Sequence, residues 1–411
     1  MSKETFTKRY RLPYTHDLPS EWNYVEIGKV FKESNENNRP DLPLYSVTRT
    51  KGIIPQEENN KRDTSSSDKS KYKVIHPGDI VYNTMRMWQG VVALSNVEGI
   101  VSPAYTVCTP TEDVYGKYAE YLFKTHPMIK LFHRFSQGLV DDTLSLKYEN
   151  FKKIFMPLPP FSEQRKIAAI LSSVDEAIEK TEAIIEQTEK VKKGLMQQLL
   201  TKGIGHTKFK KTEIGEIPEE WEVKRLSEIS LINMGQSPSS AVCNDLGEGI
   251  PFFQGNAEFG MKHPIPKRWC TEPTKLANKG DILISVRAPV GELNIANQTC
   301  CIGRGLAAIT PTKINNDYLY FAMQVYKSSL LKVSQGSTFT AINKQDLHNL
   351  LLPVPSLIEQ KKISAILLSL DSKFEKEKKK LNQLQFMKTG LMQSLLTGKV
   401  RVKVDDEVVS S

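Results

Sequence analysis

Hydrophobic and polar positions along this chain follow two periods, and the longer one is written twice. Small or apolar residues fall at Ile167, Ile170, Leu171, Val174, Ala177, Ile178, Ile184, Ile185, Val191, Leu195 and Leu199. They fall again at Ile363, Ile366, Leu367, Leu370, Phe374, Leu381, Leu384, Met387, Leu391 and Leu395. Each set is a stripe with helical spacing in one heptad phase. Prolines precede both stretches, Ser356 with Glu359 predicts a capping box, and Gly203 and Gly398 mark the ends. Each predicted helix has about 40 residues, so it would be roughly 60 Å long.

Sliding the chain by 196 residues aligns Pro157 with Pro353, Glu163-Gln164 with Glu359-Gln360, Asp175 with Asp371 and Gly194 with Gly390. Roughly half the positions of 157–201 are identical to their counterparts. A long helix with one apolar stripe is not stable alone in water, and two of equal length and phase can cover each other as a coiled coil. The alternative is that each helix packs on its own globular segment.

The intervening segments show a fainter echo. "SEWNYVEIGKV" from Ser20 matches "EEWEVKRLSEI" from Glu219, and "HPGDIVYNTMR" from His76 matches "NKGDILISVRA" from Asn278. "FSQG" from Phe135 matches "VSQG" from Val333. Runs 78–83, 99–110, 280–287 and 305–311 are β-branched and bounded by turn residues, so they predict strands. Val114–Phe135 and Ile314–Val333 have helical spacing. Between Arg49 and Lys73 lies a Ser- and Lys-rich stretch, expected as a loop without counterpart in the second half. A basic linker punctuated by glycine follows the first helix. The plan is globular segment, helix, globular segment, helix.

Composition adds little to this. The excess of 56 basic over 47 acidic residues gives +9, which permits a polyanionic partner without requiring one. Five cysteines, Cys108, Cys243, Cys270, Cys300 and Cys301, have no clip spacing and suggest reduced thiols in the cytoplasm. No run approaches ~18 apolar residues, so no membrane span is expected.

The sequence lacks the usual motifs of catalytic chemistry. "TGKV" at Thr397 lacks the glycine spacing and hydroxyl of a phosphate loop, and no GxGxxG follows a predicted strand. His126 and His133 stand seven apart without a glutamate, which is no metal spacing. "LPPF" at Leu158 resembles the methyltransferase motif Asn/Asp-Pro-Pro-aromatic, but leucine accepts no hydrogen bond. No catalytic residue and no metal site is therefore expected. What remains is recognition by basic and amide side chains beside turns. The candidates are Arg49, Lys51, Lys71, Lys73, Asn83, Arg86 and Gln137, then Gln236, Lys262, Lys267, Arg268, Arg287, Arg304 and Gln335. Arg and Lys suit phosphates and guanine edges, while Asn and Gln suit adenine. A helical scaffold whose ends bind proteins is the competing reading.

"LPPFSEQRKIAAILSSVDEAI", "VPSLIEQKKISAILLSLDSKF" and "LMQSLLTGKVRV" resemble the two conserved regions of the DNA-specificity subunit of type I restriction-modification systems. "HPGDIVYNTMR" with "GIVSPAYTV" resembles a target-recognition domain of that family. The resemblance implies an α+β protein of two mixed α/β target-recognition domains. Two long helices, pairing as an antiparallel coiled coil, would separate them in a pseudo-two-fold duplication. Expected boundaries are 1–157 for the first recognition domain, 158–203 for helix one, 204–218 for a linker, 219–353 for the second domain, 354–400 for helix two and 401–411 for a tail.

The resemblance further implies a chain without catalysis of its own, which reads a bipartite, asymmetric target in double-stranded DNA. It would hold two adenine methyltransferase subunits and two restriction/translocase subunits. S-adenosylmethionine, ATP and Mg are expected on those partners, with none in this chain. Arg86 and Arg287, which match each other after "GDI", are the foremost DNA-contact candidates. The pairing or subunit surface is assigned to Ile167, Ile170, Leu171, Val174, Ile178, Ile185, Leu195 and Leu199, with Ile363, Ile366, Leu367, Leu370, Phe374, Leu381, Leu391 and Leu395.

Overall fold

A computed structural model describes residues 18–59, 66–334 and 341–403. The chain divides into two compact units, 1–182 with 380–411, and 183–379. In the first unit, β1 (Asn23–Glu26) pairs antiparallel with β10 (Phe155–Leu158). One four-stranded sheet joins β2 (Phe31–Ser34), β9 (Tyr105–Pro110), β6 (Ile80–Asn83) and β7 (Val92–Leu94), in that order. Another joins β4 (Gly52–Pro55), β3 (Leu44–Thr48), β8 (Gly99–Val101) and β5 (Lys73–Ile75). The helices of this unit are α1 (Ile27–Val30), α2 (Gly116–Phe123), α3 (His126–Phe135) and α4 (Tyr148–Phe151).

The second unit repeats this order. Here β13 (Glu222–Arg225) pairs with β23 (Leu351–Val354), and β14 (Ser230–Met234), β22 (Leu306–Pro311), β19 (Ile282–Ser285) and β20 (Leu293–Ile295) form the four-stranded sheet. The other sheet runs β15 (Cys243–Asn244), β17 (Trp269–Cys270), β16 (Ile250–Phe253), β21 (Cys300–Ile302) and β18 (Leu276–Ala277). The parallel pair β3–β8 thus has its counterpart in β16–β21. The helices are α6 (Leu226–Ile229), α7 (Asn316–Ser334) and α8 (Lys344–His348).

The sequence echoes have structural causes. The buried aspartate of each "GDI" locks the turn before its strand. Asp79 accepts from the His76 backbone N–H at 2.8 Å and from the Thr109 hydroxyl at 2.7 Å. Asp281 does the same with Asn278 at 2.7 Å and Thr310 at 2.8 Å. The motif is therefore a strand anchor, and the following residues are what it positions.

Three expectations about the segments change. Val114–Phe135 is two helices, α2 and α3, because Pro127 offers no N–H and Thr125 is extended. Its counterpart, lacking the proline, runs unbroken through α7. The stretch after Arg49 is partly strand: β4 turns back on β3 from Thr48↔Gly52 to Tyr45↔Pro55. Its residues 60–65 lie outside the described residues. It also has a counterpart, since residues 254–275 fill the same interval between β16 and β18. The interval 204–218, expected as linker, contains the hairpin β11 (Phe209–Thr212) and β12 (Gly215–Pro218), held down by fully buried Ile217.

The long helices are α5 (Phe161–Lys202) and α9 (Leu357–Leu395), and they pack together. In the first unit, buried Ile167 and Leu171 share a core with Leu395 and Leu396, and Ile170 and Leu391 pack against it. Lys388 and Asp175 meet there at 2.5 Å, so the segments run antiparallel. In the second unit, Leu199 and Leu200 share a core with Ile363 and Leu367, Leu195 packs against it, and Lys192 meets Asp371 at 2.5 Å. Both arrangements considered from sequence therefore occur. The first half of each helix packs on the segment before it, and the second half completes a core with the other helix.

Val174 is buried, and Ile178, Ile185, Leu370, Phe374 and Leu381 are half-buried. Ile366 departs from the seam, 38% exposed, because Ile363 and Leu367 one turn apart take the buried face. Gly203 and Gly398 close the helices in the left-handed region, at φ +67° and +74°. The capping box at Ser356 is only half formed. Its hydroxyl accepts from the Glu359 N–H at 3.3 Å, but the Glu359 carboxylate turns inward.

Candidate nucleic-acid interface

That inward carboxylate belongs to a cluster present in both units. The Trp22 indole donates to Glu163 at 3.0 Å, and Arg401 grips both carboxylate oxygens at 2.8 and 2.9 Å. Another Arg401 nitrogen reaches Glu21 at 2.6 Å. In the second unit, Trp221 donates to Glu359 at 2.9 Å, the Ile204 N–H donates at 3.0 Å and His206 lies at 2.9 Å. Beside each cluster a buried glutamine pins the helix start. Gln164 donates to the Pro159 carbonyl and accepts from the Tyr115 N–H, and Gln360 does so with Pro355 and Asn315. Sequence reading missed these groups as a unit. The signal is present, because "EW" and "EQ" recur in both halves, but the sequence shows each only as a mark of the repeat and not as partners of one another.

The exposed turns stand instead on the four-stranded sheets, between β6 and β7 and between β19 and β20. In the first unit Arg86 is exposed on the turn from β6 to β7, whose Asn83 Oδ1 accepts from the Met85 N–H at 3.0 Å. Asn83 thus spends its carbonyl on the turn, leaving its amide nitrogen for a partner. The segment after α3 lies along that turn, with the Leu146 N–H donating to the Thr84 carbonyl at 2.8 Å. Lys73, Thr84, Met85, Tyr105 and Lys147 line a cleft of about 390 Å³. Lys73 is turned toward Glu33, 3.6 Å away. Arg49 lines a separate recess of about 520 Å³ with Gln89, Lys124 and His126. Lys71 is exposed, and Gln137 exchanges backbone hydrogen bonds with Ser145 at the base of a loop. The turn from β6 to β7 thus borders both recesses, with Lys73 beside Thr84 and Met85 and Arg49 beside Gln89 and Val91.

In the second unit Arg287 occupies the matching turn, exposed and bridged by backbone to Ala341, as the turn of Arg86 is to Leu146. Arg304 stands exposed between Gly303 and Gly305, its N–H donating to the Ser237 hydroxyl at 3.2 Å. Ser237 in turn donates to Gln254 at 2.8 Å, so Arg304 joins a polar group next to Gln236. Arg268 is 3.5 Å from Asp245, and the Lys262 carbonyl accepts from the Ile295 N–H. Gln335 lies outside the described residues. No group of three or more His, Cys, Asp or Glu among the described residues could hold a metal ion.

Two copies of one α+β unit, each offering a basic turn on a fixed frame, define a duplicated recognition protein. The profile of the type I restriction modification DNA specificity domain matches residues 19–190 and 218–385. The chain therefore belongs to the type I restriction-modification specificity-subunit family. It is 35% identical, over 94% of its length and 95% of the other's, to the putative type I restriction enzyme MjaX specificity subunit of Methanocaldococcus jannaschii. It is 23% identical, over 90% and 82%, to the EcoBI specificity subunit of Escherichia coli. Among solved structures, a chain from a study of type I R-M complex assembly and conformational transition matches with TM-score 0.58 and 27% identity, covering 93% of this chain and 100% of that one. The S subunit from M. genitalium matches in fold, with TM-score 0.61 and 17% identity, over 94% and 98%.

Proposed function

We propose that this chain reads a split, asymmetric target in double-stranded DNA, one half-site per recognition domain. It does so as the non-catalytic subunit that holds two adenine methyltransferase subunits and two restriction/translocase subunits. The observation that carries this reading is the repetition of one frame with different side chains on its exposed turns. Arg86 and Arg287 stand on matching turns but one position apart, since Val286 takes the place of Thr84 and Arg287 that of Met85, and the groups around Arg304 and Lys73 differ between units. Equal frames suit two equal docking geometries, and unequal turns suit unequal base sequences.

S-adenosylmethionine, ATP and Mg belong, in this reading, to the partner subunits. The complex works in the cytoplasm; no helix among the described residues is long and apolar enough to cross a membrane. Long-read methylation mapping of cells with and without the gene tests the proposal. A split adenine-methylated motif that vanishes on deletion is expected. An unchanged set of adenine marks would refute it.

A further inference from the structure

Leu139 is fully exposed and Val140 is 61% exposed, at the tip of the loop between α3 and α4. The loop is nevertheless braced by its own hydrogen bonds. Gln137 and Ser145 close its base with mutual backbone bonds of 2.9 and 2.8 Å. The Thr143 hydroxyl accepts from the N–H groups of Leu139 and Val140 at 3.2 Å each and donates to the Val140 carbonyl at 2.9 Å. Gly138 is required there, because a Cβ would stand 2.6 Å from the Thr143 carbonyl oxygen. Two apolar side chains are thus held out in water by a braced scaffold. Such an arrangement costs solvation and has no use in the isolated chain's own packing.

The surroundings identify the partner. The loop base lies against the turn of Met85 and Arg86, and Lys147 follows it directly. Arg86 and Lys147 are exposed, and neither forms an ion pair among the described residues. They suit phosphates. The tip itself does not, because Asp141 and Asp142 beside Leu139 and Val140 would be repelled by a phosphate row. A tip lacking cations but flanked by them matches the floor of a groove. The apolar group that DNA presents on a groove floor is the thymine 5-methyl, in the major groove.

Resting on the reading of the chain as a DNA reader, we propose that Leu139 and Val140 determine specificity in the first recognition domain. They make apolar contact with thymine methyl groups in the major groove of one half-site. Arg86 and Lys147 fix the register on the flanking phosphates. This divides the surface near the loop into cationic positioning residues and leaves base reading to the two apolar side chains of a tip without cations.

The test uses the full chain, with its methyltransferase partners, on duplexes carrying the mapped target. Each thymine is replaced in turn by deoxyuridine, which removes only the methyl. For the unaltered protein, at least one replacement confined to one half-site should weaken binding about three- to tenfold. The L139A/V140A variant, whose changes are exposed, should bind thymine and uracil duplexes within about twofold of each other. Should the variant keep the thymine preference, or should no replacement matter to the unaltered protein, the proposal is overturned. Loss of partner assembly with the preference retained would also overturn it, in favour of protein docking. If the unaltered complex failed to prefer its target over a scrambled duplex, the parent reading itself would fall.

Discussion

The two carboxylates at the starts of the long helices occupy the same place and are satisfied by different means. Glu163 is gripped by a guanidinium through two parallel bonds, with Trp22 as third donor. Glu359 relies on Trp221, a backbone N–H and one imidazole edge. The indole and the acceptor persist through the duplication, while the remaining side-chain partner changes from Arg401 to His206. The comparison teaches that the fold demands a satisfied buried carboxylate but leaves open what satisfies it. The same holds about three helical turns further along each helix. Asp175 and Asp371 both meet a lysine, but only Asp175 also accepts from a tyrosine hydroxyl, Tyr121 at 2.6 Å. Phe321 stands at the equivalent site, and Lys192 lies over its ring.

The strongest way to break the equivalence is in the cores the units share in kind. Leu171 and Leu367 are fully buried at matching positions. Leu171→Asp and Leu367→Asp should each destabilise their own unit by about 4 kcal/mol or more, since each buries an unpaired charge. Hydrogen exchange read peptide by peptide should show the loss in one unit at a time. Equal loss of protection in both units from either change would contradict the division into two cores.

A smaller and more telling break lies in the clusters. Arg401→Ala leaves a carboxylate only 2% exposed with Trp22 and a weak 3.4 Å contact from the Val402 N–H. It should cost about 3 kcal/mol in the first unit. His206→Ala leaves Glu359 with Trp221 and the Ile204 N–H, and should cost about 1 kcal/mol in the second. Thermal unfolding with unit-resolved exchange checks the order. If His206→Ala proved the more damaging, the two clusters would not differ as their geometry says.

The sequence made the long helices legible because their stripe repeats over many turns and recurs at a fixed offset. It also located the strands at 78–83 and 280–287, where β-branched runs follow a turn. The antiparallel pairing of α5 and α9 follows from the family resemblance, but not that each helix's far end also completes a globular core, since a heptad phase records a buried face and not what else packs on it. The break at Pro127 was available in the sequence, but the helical spacing on both sides of it dominated. The hairpin β11–β12 was hidden because its anchor is two adjacent buried residues, Ile217 and Pro218, amid lysines and glutamates. The Glu163–Arg401 contact spans 238 positions, and no local pattern reports such a distance. The interface was legible as residue types beside turns. That Lys73 and Arg49 both border the turn of Arg86 required the folded chain.

The lysine pairs sharpen the comparison at finer scale. Lys192→Ala should cost about 1.5 kcal/mol, because Asp371 is largely shielded and loses its cation. Lys388→Ala should cost about 0.5 kcal/mol, because the Tyr121 hydroxyl still serves Asp175. Burial, and then the Asp175 carboxylate, push the Tyr121 hydroxyl's pKa up, so it remains a donor throughout the neutral range. In a Tyr121→Phe background the two lysine changes should become alike. A double-mutant cycle that gave no coupling between Tyr121 and Lys388 would remove the stated cause of the difference.

The smallest effect concerns the residue preceding each "GDI" turn, His76 in one unit and Asn278 in the other. Both donate a backbone N–H to the anchoring aspartate, so the turn itself is indifferent to the exchange. Only His76 can gain charge. Its hydrogen bond to Glu36, 3.0 Å away, raises its pKa above the usual imidazole value, with Glu98 adding to this from 3.7 Å. A raised folded value means that the protonated pair's contribution is complete below the unfolded pKa of about 6.5 and is lost as pH rises through the folded value. The site is exposed to solvent, so the contribution should stay below about 0.5 kcal/mol. A proton NMR titration of the histidines, with His76→Asn to assign the signal, should place His76 above the free imidazole value. Glu36→Gln should lower it. A His76 midpoint unmoved by Glu36→Gln would show that the carboxylate is not its partner in solution, and the two turns would then be equivalent in charge as well as in shape.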